Sequence, residues 1–161
     1  MATEAEITAK FWKAIKSDMT VMLGIEGVEH GKSQPMTAQM LDGKSYLWFF
    51  TTKDNNLVQA MRQHADRAIL TFASKGHDLF ATVDGRLEED NNRATIDQLW
   101  NPFAAAWFEG GKDDPKLQLI RFDPTSAQIW LNENSSFAGI KALLGRDPKK
   151  DYRDKVAEVA L

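Results

Sequence analysis

The chain has 161 residues, a formal net charge of −3, 43% hydrophobic residues and 27% charged residues. These values suit a single folded domain, since disordered chains are poorer in apolar residues, and they give no general attraction for nucleic acid. Because the chain has no cysteine, disulfides, thiolate metal ligands and cysteine nucleophiles are excluded.

The N-terminal segment predicts a helix and lacks a targeting signal. It is acidic, without the basic start and apolar core of a signal peptide, and no later stretch is apolar over the length of a membrane-spanning helix. Thr3 and Glu6 have capping-box spacing, and apolar residues recur every four positions from Ile7 to Ile15. We therefore expect a cytoplasmic protein, with no membrane partner, that begins with an amphipathic helix.

Two strands are predicted next, over residues 19–25 and 33–41. The second alternates, with an apolar face of Met36, Ala38 and Met40 and an opposite face of Pro35, Thr37 and Gln39. The second face is therefore polar and available for a ligand.

A hairpin is predicted after this strand. Asp42-Gly43 is a type I′ turn signal, and residues 46–51 are the most aromatic run in the chain. We expect residues 33–41 to pair with this aromatic strand.

The remaining elements follow from local patterns. A short helix from Leu57 to Met61 is followed by strands over 67–73 and 80–87, with an irregularity at Gly85. A helix capped by Asn91-Asn92 comes next, and then a second turn from Pro102 through Trp107. Strands over 117–122 and 127–131, separated by a corner at Asp123-Pro124, precede a closing helix over 137–144. Short strands with hairpin signals and interspersed helices favour an antiparallel barrel over a parallel fold.

Familiar catalytic and metal-binding patterns are absent from the sequence. His30, His64 and His77 lack metal-ligand spacing, and there is no phosphate-loop, nucleophile-elbow or dinucleotide motif. We therefore predict no metal site and name no catalytic residue.

Trp130 is predicted to point away from the core. Alternation places Ile129 and Leu131 on one face, so Trp130 lies on the other with Gln128. From the residues alone, a ligand or interface role and simple packing beneath a helix are equally compatible with this position.

A second candidate lies where the aromatic strand ends. Phe50, Thr51, Thr52 and Lys53 precede a helix beginning near Asn55, beside the polar strand face. Hydroxyls, an amide, a lysine and a helix start suit a phosphorylated planar ligand. Solvated surface residues are the more frequent explanation of such a pattern.

Six motifs between residues 11 and 136 occur together in order. They are Ser33-Gln34-Pro35-Met36-Thr37, Leu47-Trp48-Phe49-Phe50-Thr51, Gly85-Arg86-Leu87, Leu99-Trp100-Asn101-Pro102, Ala106-Trp107-Phe108-Glu109-Gly110-Gly111-Lys112-Asp113-Asp114-Pro115 and Ala127-Gln128-Ile129-Trp130. In these motifs the chain resembles the bacterial general stress protein branch of the pyridoxamine 5′-phosphate oxidase-like, FMN-binding split-barrel superfamily. The Trp-Phe-x-Gly-Gly-x-x-Asp-Pro stretch is the most specific of them.

The resemblance implies a fold and a cofactor. The fold would be a mainly β, six-stranded antiparallel Greek-key split barrel with appended helices, as one domain over residues 1–161 with a core at about 11–136 and a helical tail at 137–161. Two copies would form a homodimer with flavin at the interface, FMN in preference to FAD. The implied flavin-binding residues are Met36, Thr37, Ala38, Gln39, Phe50, Thr51, Thr52, Lys53, Asn55, Asn56 and, from the other subunit, Trp130.

Two departures from the family pattern bear on the flavin phosphate. Relatives commonly carry arginine where this chain has Gln34 and lysine where it has Leu57. Binding would therefore depend on Lys53, hydroxyls and backbone amides, with reduced affinity. Residues 131–134 also lack the substrate-binding arginine of true pyridoxamine phosphate oxidases, which argues against vitamin B6 oxidation.

Three functions are compatible with the resemblance. The first is a flavin-dependent oxidoreductase with a small-molecule redox substrate, in which the flavin carries the chemistry. The second is a non-catalytic stress protein that stores or senses flavin. The third is a flavin-free interaction module, which the residues at Gln34 and Leu57 would allow.

Overall fold

One antiparallel sheet forms the frame of the molecule. A computed structural model describes residues 3–29, 31–132 and 156–161, and within them it contains seven strands and four α-helices. The strands are β1 (Thr20–Ile25), β2 (Gln34–Thr37), β3 (Leu47–Thr52), β4 (Arg67–Ala73), β5 (Leu79–Glu89), β6 (Leu117–Leu131) and β7 (Val156–Ala160). The helices are α1 (Glu4–Asp18), α2 (Asn56–Arg62), α3 (Arg93–Leu99) and α4 (Pro102–Trp107), with a short 3-10 turn at Gly111–Asp113.

The sheet is nearly a barrel but does not close. Its strand order is β2-β1-β4-β5-β6-β3, and β7 pairs with the second half of β6 beyond the part that pairs with β3. The outer strands β2 and β3 are linked only by a bridge between Gln39 and Trp48, whose backbone hydrogen bonds measure 2.8 and 2.9 Å. The prediction of a mainly β, antiparallel fold is confirmed, whereas the described sheet has seven strands instead of six.

Helix α1 forms as its local signals predict. Thr3 Oγ1 accepts the backbone N–H of Glu6 at 3.2 Å, and the Glu6 carboxylate accepts the backbone N–H of Thr3 at 3.1 Å. The apolar residues at four-residue spacing, including Phe11, are buried against the sheet. The capping box and the amphipathic pattern are both confirmed.

The predicted pairing of residues 33–41 with residues 46–51 is confined to the single bridge between Gln39 and Trp48, and the two segments do not form a regular hairpin. Strand β2 pairs with β1, and β3 pairs with β6 along its whole length. The Asp42-Gly43 turn exists, but only Gly43 has a positive φ, of 74°, whereas a type I′ turn needs two such residues. Long-range pairing therefore prevails over the local turn signal.

Strand β6 is continuous where a corner is predicted. The register with β5 shifts between Asp84 and Gly85, which face Ser126 and Pro124, so Thr125 is the extra residue of a bulge. A Cβ on Gly85 would lie 2.5 Å from the Asp123 carbonyl oxygen, which explains the glycine. The irregularity at Gly85 is confirmed, and the break at Asp123-Pro124 is corrected to a bulge.

Two apolar clusters lie on opposite faces of β3. Leu47 and Phe49 point into the main core, which also includes residues of α1 and α2. Trp48 and Phe50 point outward, into a second cluster with Leu99 and other residues of the α3–α4 region. The aromatic run is thus buried on both faces because helices cover its outer side.

The described end of the chain is a strand. Val156–Ala160 pair with residues 126–130 of β6, with Val159 buried opposite Ala127. The expected helical tail is therefore wrong for these residues, since alternating burial and ladder pairing replace a helical stripe. The closing helix predicted over 137–144 lies outside the described residues. Among the described helices, none is long and apolar enough to cross a membrane.

Candidate functional site

Four of the predicted site residues lie at the end of β3. Phe50 is half-buried in the second cluster, while Thr51 is buried on the inner face opposite Gln118. The Thr52 hydroxyl donates to Asp54 Oδ1 at 2.5 Å. Lys53 is exposed, and its carbonyl accepts the Gln59 side-chain amide at 2.7 Å. The chain therefore presents one hydroxyl and one ammonium group as it turns into α2.

Asn55 connects the start of α2 to the start of β2. Its Oδ1 accepts the Leu57 backbone N–H at 2.8 Å, which caps the helix. Its Nδ2 donates to Gln34 Oε1 at 2.9 Å, and Gln34 Nε2 returns a longer bond of 3.4 Å. The Asn55 side chain is thus engaged within the protein, whereas Asn56 is exposed.

The β2 segment has the two faces that its alternation predicts. Met36 packs against the core and Ala38 is buried in it, while Thr37 is exposed on the outer face. Gln39 bridges to β3, and its side-chain oxygen accepts the Asn101 amide at 3.3 Å. The outer face of β2 therefore adjoins the loop between α3 and α4.

The structure brings ten of the eleven predicted residues to the β2, β3 and α2 region. Their contacts are the Gln34–Asn55 pair and the Gln39–Trp48 bridge described above. Trp130 lies elsewhere. It is on β6, eleven residues beyond Leu119, which faces Phe50, so it lies about 35 Å farther along the strand.

Trp130 lies on the outer face of the sheet. Its strand neighbours Ile129 and Leu131 are buried, and it pairs across the ladder with Phe80, itself 36% exposed. The direction predicted from alternation is confirmed. Within one chain, Trp130 does not join the β2–β3 residues.

Lys116 belongs to the β3 end and is missed by the sequence reasoning. The Lys53 backbone N–H donates to the Lys116 carbonyl at 3.0 Å, immediately beyond the last ladder pair of Thr52 and Leu117. The sequence reasoning paired β3 with residues 33–41, so it never placed Lys116 opposite Lys53. Only the register of β3 with β6 reveals this neighbour.

The Gly-Gly-x-x-Asp-Pro motif builds the loop that leads to Lys116. Gly111 has a positive φ of 64°, and the Asp114 carboxylate accepts the backbone N–H groups of Gly110 at 3.0 Å and Lys116 at 2.9 Å. The N–H of Lys116, then that of Gly110, lower the pKa of the Asp114 carboxyl. The most specific sequence motif is therefore a structural turn.

Helix α4 carries two uncovered aromatic side chains. Asn101 caps it, accepting the N–H groups of Phe103 and Ala104 at 3.0 and 3.1 Å. Phe103 is 79% exposed and Trp107, one turn later, is 83% exposed. Both follow the asparagine that binds Gln39, so an apolar surface adjoins the polar face of β2.

The site offers binding groups but no acid–base machinery. Hydroxyls, amides, two lysines and backbone groups suit an anionic ligand with a planar part. Within the described residues, no group of three histidine, aspartate or glutamate side chains is arranged to hold a metal ion. His30 lies outside the described residues.

The fold defines a small, mainly β domain built on one antiparallel sheet. The family model described as pyridoxamine 5′-phosphate oxidase like matches residues 6–147, and the chain belongs to that family. No curated protein matches the chain.

Solved structures support the same relationship. A general stress family protein of Xanthomonas campestris pv. campestris is 58% identical, with a TM-score of 0.76, over 84% of this chain and 93% of that one. The general stress FMN/FAD binding protein of Xanthomonas citri is 57% identical, with a TM-score of 0.74, over 81% and 92%. A general stress protein 26 of Jannaschia sp. CCS1 is 30% identical, with a TM-score of 0.82, over 99% and 100%.

Proposed function

We propose that this chain is a stress-related flavin-binding protein, with FMN preferred over FAD, and that two copies form the binding cleft. The observation that carries the proposal is its 57% identity to a protein of Xanthomonas citri described as FMN/FAD binding. The polar groups gathered at the ends of β2 and β3 support the same ligand class. They could bind a phosphate and a planar ring at once.

In this proposal the two halves of FMN would lie in different parts of the site. The ring system would lie along Met36, Thr37, Ala38 and Gln39, whose outer face is polar and borders the aromatic residues of α4. The phosphate would lie at Thr52, Lys53 and the backbone near Asn56. Because the Asn55 side chain already caps α2 and binds Gln34, its role is to shape the site.

A homodimer is supported by the outer face of the sheet. One row of cross-strand neighbours is uncharged over five strands, through Pro35, Met22, Thr71, Thr82 and Gln128, and ends at the charged Glu158 of β7. Phe80 and Trp130 lie beside this row. An extensive, weakly polar sheet face with aromatic residues suits a protein interface. A second copy would also bring a Trp130 to the β2–β3 region of the first.

A bound flavin would supply the capacity to accept and donate electrons, while this chain's residues bind it and exclude water. An oxidoreductase acting on a small molecule and a flavin store or sensor are both compatible with that arrangement. We favour neither, because the described site contains no acid–base pair that would indicate a second substrate.

Flavin titration tests the proposal. The purified protein should quench FMN fluorescence with micromolar or tighter affinity, bind FAD more weakly, and sediment as a dimer. A monomer that binds no FMN at micromolar concentration would overturn the proposal and leave the flavin-free interaction module.

Anaerobic addition of NADH or NADPH to the FMN-loaded protein separates the other two functions. Bleaching of the flavin absorbance indicates a reductase, and no bleaching with any donor indicates storage or sensing.

The Trp130→Ala variant tests the contribution of the second subunit. We expect FMN binding to weaken about tenfold while the dimer and the thermal unfolding temperature are retained, because the side chain is half-buried on the outer face. Trp12→Ala, a half-buried tryptophan of α1, serves as the control that loses packing without losing flavin. Unchanged FMN affinity in Trp130→Ala would remove that residue from the site.

A further inference from the structure

Lys53 and Lys116 are backbone neighbours where β3 ends and β6 begins, and the side chains of both are exposed. Their backbones are hydrogen-bonded at 3.0 Å as an extension of the β3–β6 ladder. Directly opposed residues of antiparallel strands have Cβ atoms roughly 4.5–5.5 Å apart and project to the same side. Two like charges in this position destabilise a sheet unless a counter-charge is present.

Among the described residues, the counter-charge nearest to Lys116 is Asp114, to whose lowered pKa the lysine charge makes only a minor contribution. Over residues 3–29, 31–132 and 156–161, neither lysine ammonium group forms a hydrogen bond or an ion pair. The two nearby carboxylates take their hydrogen bonds from uncharged groups, Asp114 from the backbone N–H groups of Gly110 and Lys116 and Asp54 from the Thr52 hydroxyl, and neither forms an ion pair with the two lysines. The pair of ammonium groups is therefore available to an anion from outside the chain.

The position of Lys116 is fixed by the loop before β6. Asp114 holds the Lys116 backbone N–H, and Gly110 is packed so closely that an added Cβ would lie 2.9 Å from the Asp114 Cα. The Lys116 carbonyl is held in turn by Lys53. A lysine whose backbone is held on both sides loses less freedom when its side chain binds a ligand.

We propose that Lys116 is the second cation of the flavin phosphate subsite, acting with Lys53 in place of the basic residues absent at Gln34 and Leu57. The inference rests on the proposed function. A phosphate monoester carries close to two negative charges at neutral pH, so two ammonium groups match it where one leaves charge uncompensated. Lys116 would recognise the phosphate only, and the isoalloxazine ring would be bound without it.

Parallel titrations with FMN and riboflavin test this assignment, because riboflavin lacks the phosphate. Lys116→Gln should weaken FMN binding about tenfold and leave riboflavin binding within about twofold, as expected for loss of one charge-assisted contact. Lys116→Arg should retain most of the FMN affinity. Lys13→Gln, which removes an exposed lysine of α1, is the matched control and should change neither affinity.

The outcomes separate the two proposals. If the wild-type protein binds neither flavin, the proposed function fails and the role of Lys116 fails with it. If wild type binds FMN but Lys116→Gln binds it equally well, or loses FMN and riboflavin to the same extent, the assignment of Lys116 is overturned while flavin binding stands. If Lys116→Gln folds poorly, the Lys116→Arg variant still tests the assignment of Lys116. This variant retains the positive charge, so a loss of its FMN affinity would contradict the proposal.

Discussion

Arg121 of β6 and the lysines just outside the paired ends of β3 and β6 differ in how their charges are matched. Arg121 donates to Asp123 at 2.6 and 3.0 Å and to Glu88 at 2.6 Å, with Asp90 at 3.8 Å. Five residues earlier, the Lys116 carbonyl accepts the Lys53 backbone N–H, and within the described residues neither ammonium group forms a hydrogen bond or an ion pair. Arg121 is thus held by several carboxylates, whereas Lys53 and Lys116 have no ion pair within the described residues.

The surroundings of Arg121 identify a structural role. Its side chain is only 25% exposed, and its guanidinium lies 4.9 Å from the centre of the Tyr46 ring. Hydrogen bonding to Asp123 raises the pKa of Arg121, and the charges of Asp123 and Glu88 add to the effect. A cation with so many internal partners has no capacity left for a ligand, whereas the two lysines do.

The variant with the largest expected effect is Arg121→Met, which should lower the stability of the fold. Removing the guanidinium leaves three carboxylates close together, so the free energy of unfolding should fall by about 1–3 kcal/mol in urea denaturation. Arg86→Met is the matched control, since Arg86 has one ion pair, to Asp66, and its side chain is 60% exposed. It should cost less than about 1 kcal/mol. Equal losses in the two variants would contradict the distinction between saturated and exposed cations.

How much could be predicted from the sequence depended on the distance over which each signal acts. Helix α1, strand β4 and the asparagine cap of α3 were predicted because capping, periodicity and β-branching are local. The pairing of β3 with β6 joins segments some 70 residues apart, and burial of both faces of β3 decides it. A local turn signal carries no information about such a partner.

The candidate site also contains features that local sequence signals predict and features that depend on long-range pairing. Alternation sufficed to assign the outward directions of Thr37 and Trp130, because side-chain direction in a strand follows from period two. Lys116 was missed because its relation to Lys53 exists only in the register between β3 and β6. The predicted helical tail failed for a related reason, since Val156–Ala160 is short and becomes a strand by pairing with β6.

The smallest expected effect is on the acid dependence of stability when Asp114 is replaced. Asp114 also tests whether the charge of Lys116 is neutralised within the chain. Hydrogen bonds from the backbone N–H groups of Lys116 and Gly110 are the main causes that lower the pKa of this carboxyl, and the Lys116 charge is a minor one. Because the folded-state pKa is depressed, the stabilisation by Asp114 is complete above the ordinary aspartate range near pH 4 and is lost as the pH falls through the depressed value. Asp114→Asn should therefore weaken the acid dependence of stability below about pH 4.

The same carboxyl provides the sharper measurement. Lys116→Gln removes the ammonium charge and keeps both backbone N–H donors, so the Asp114 pKa, followed by NMR titration, should stay depressed. A return to the ordinary range would mean that Asp114 and Lys116 neutralise each other as an ion pair. The lysine would then resemble Arg121, matched from within the chain, and an incoming phosphate would have to displace a carboxylate before Lys116 could bind it.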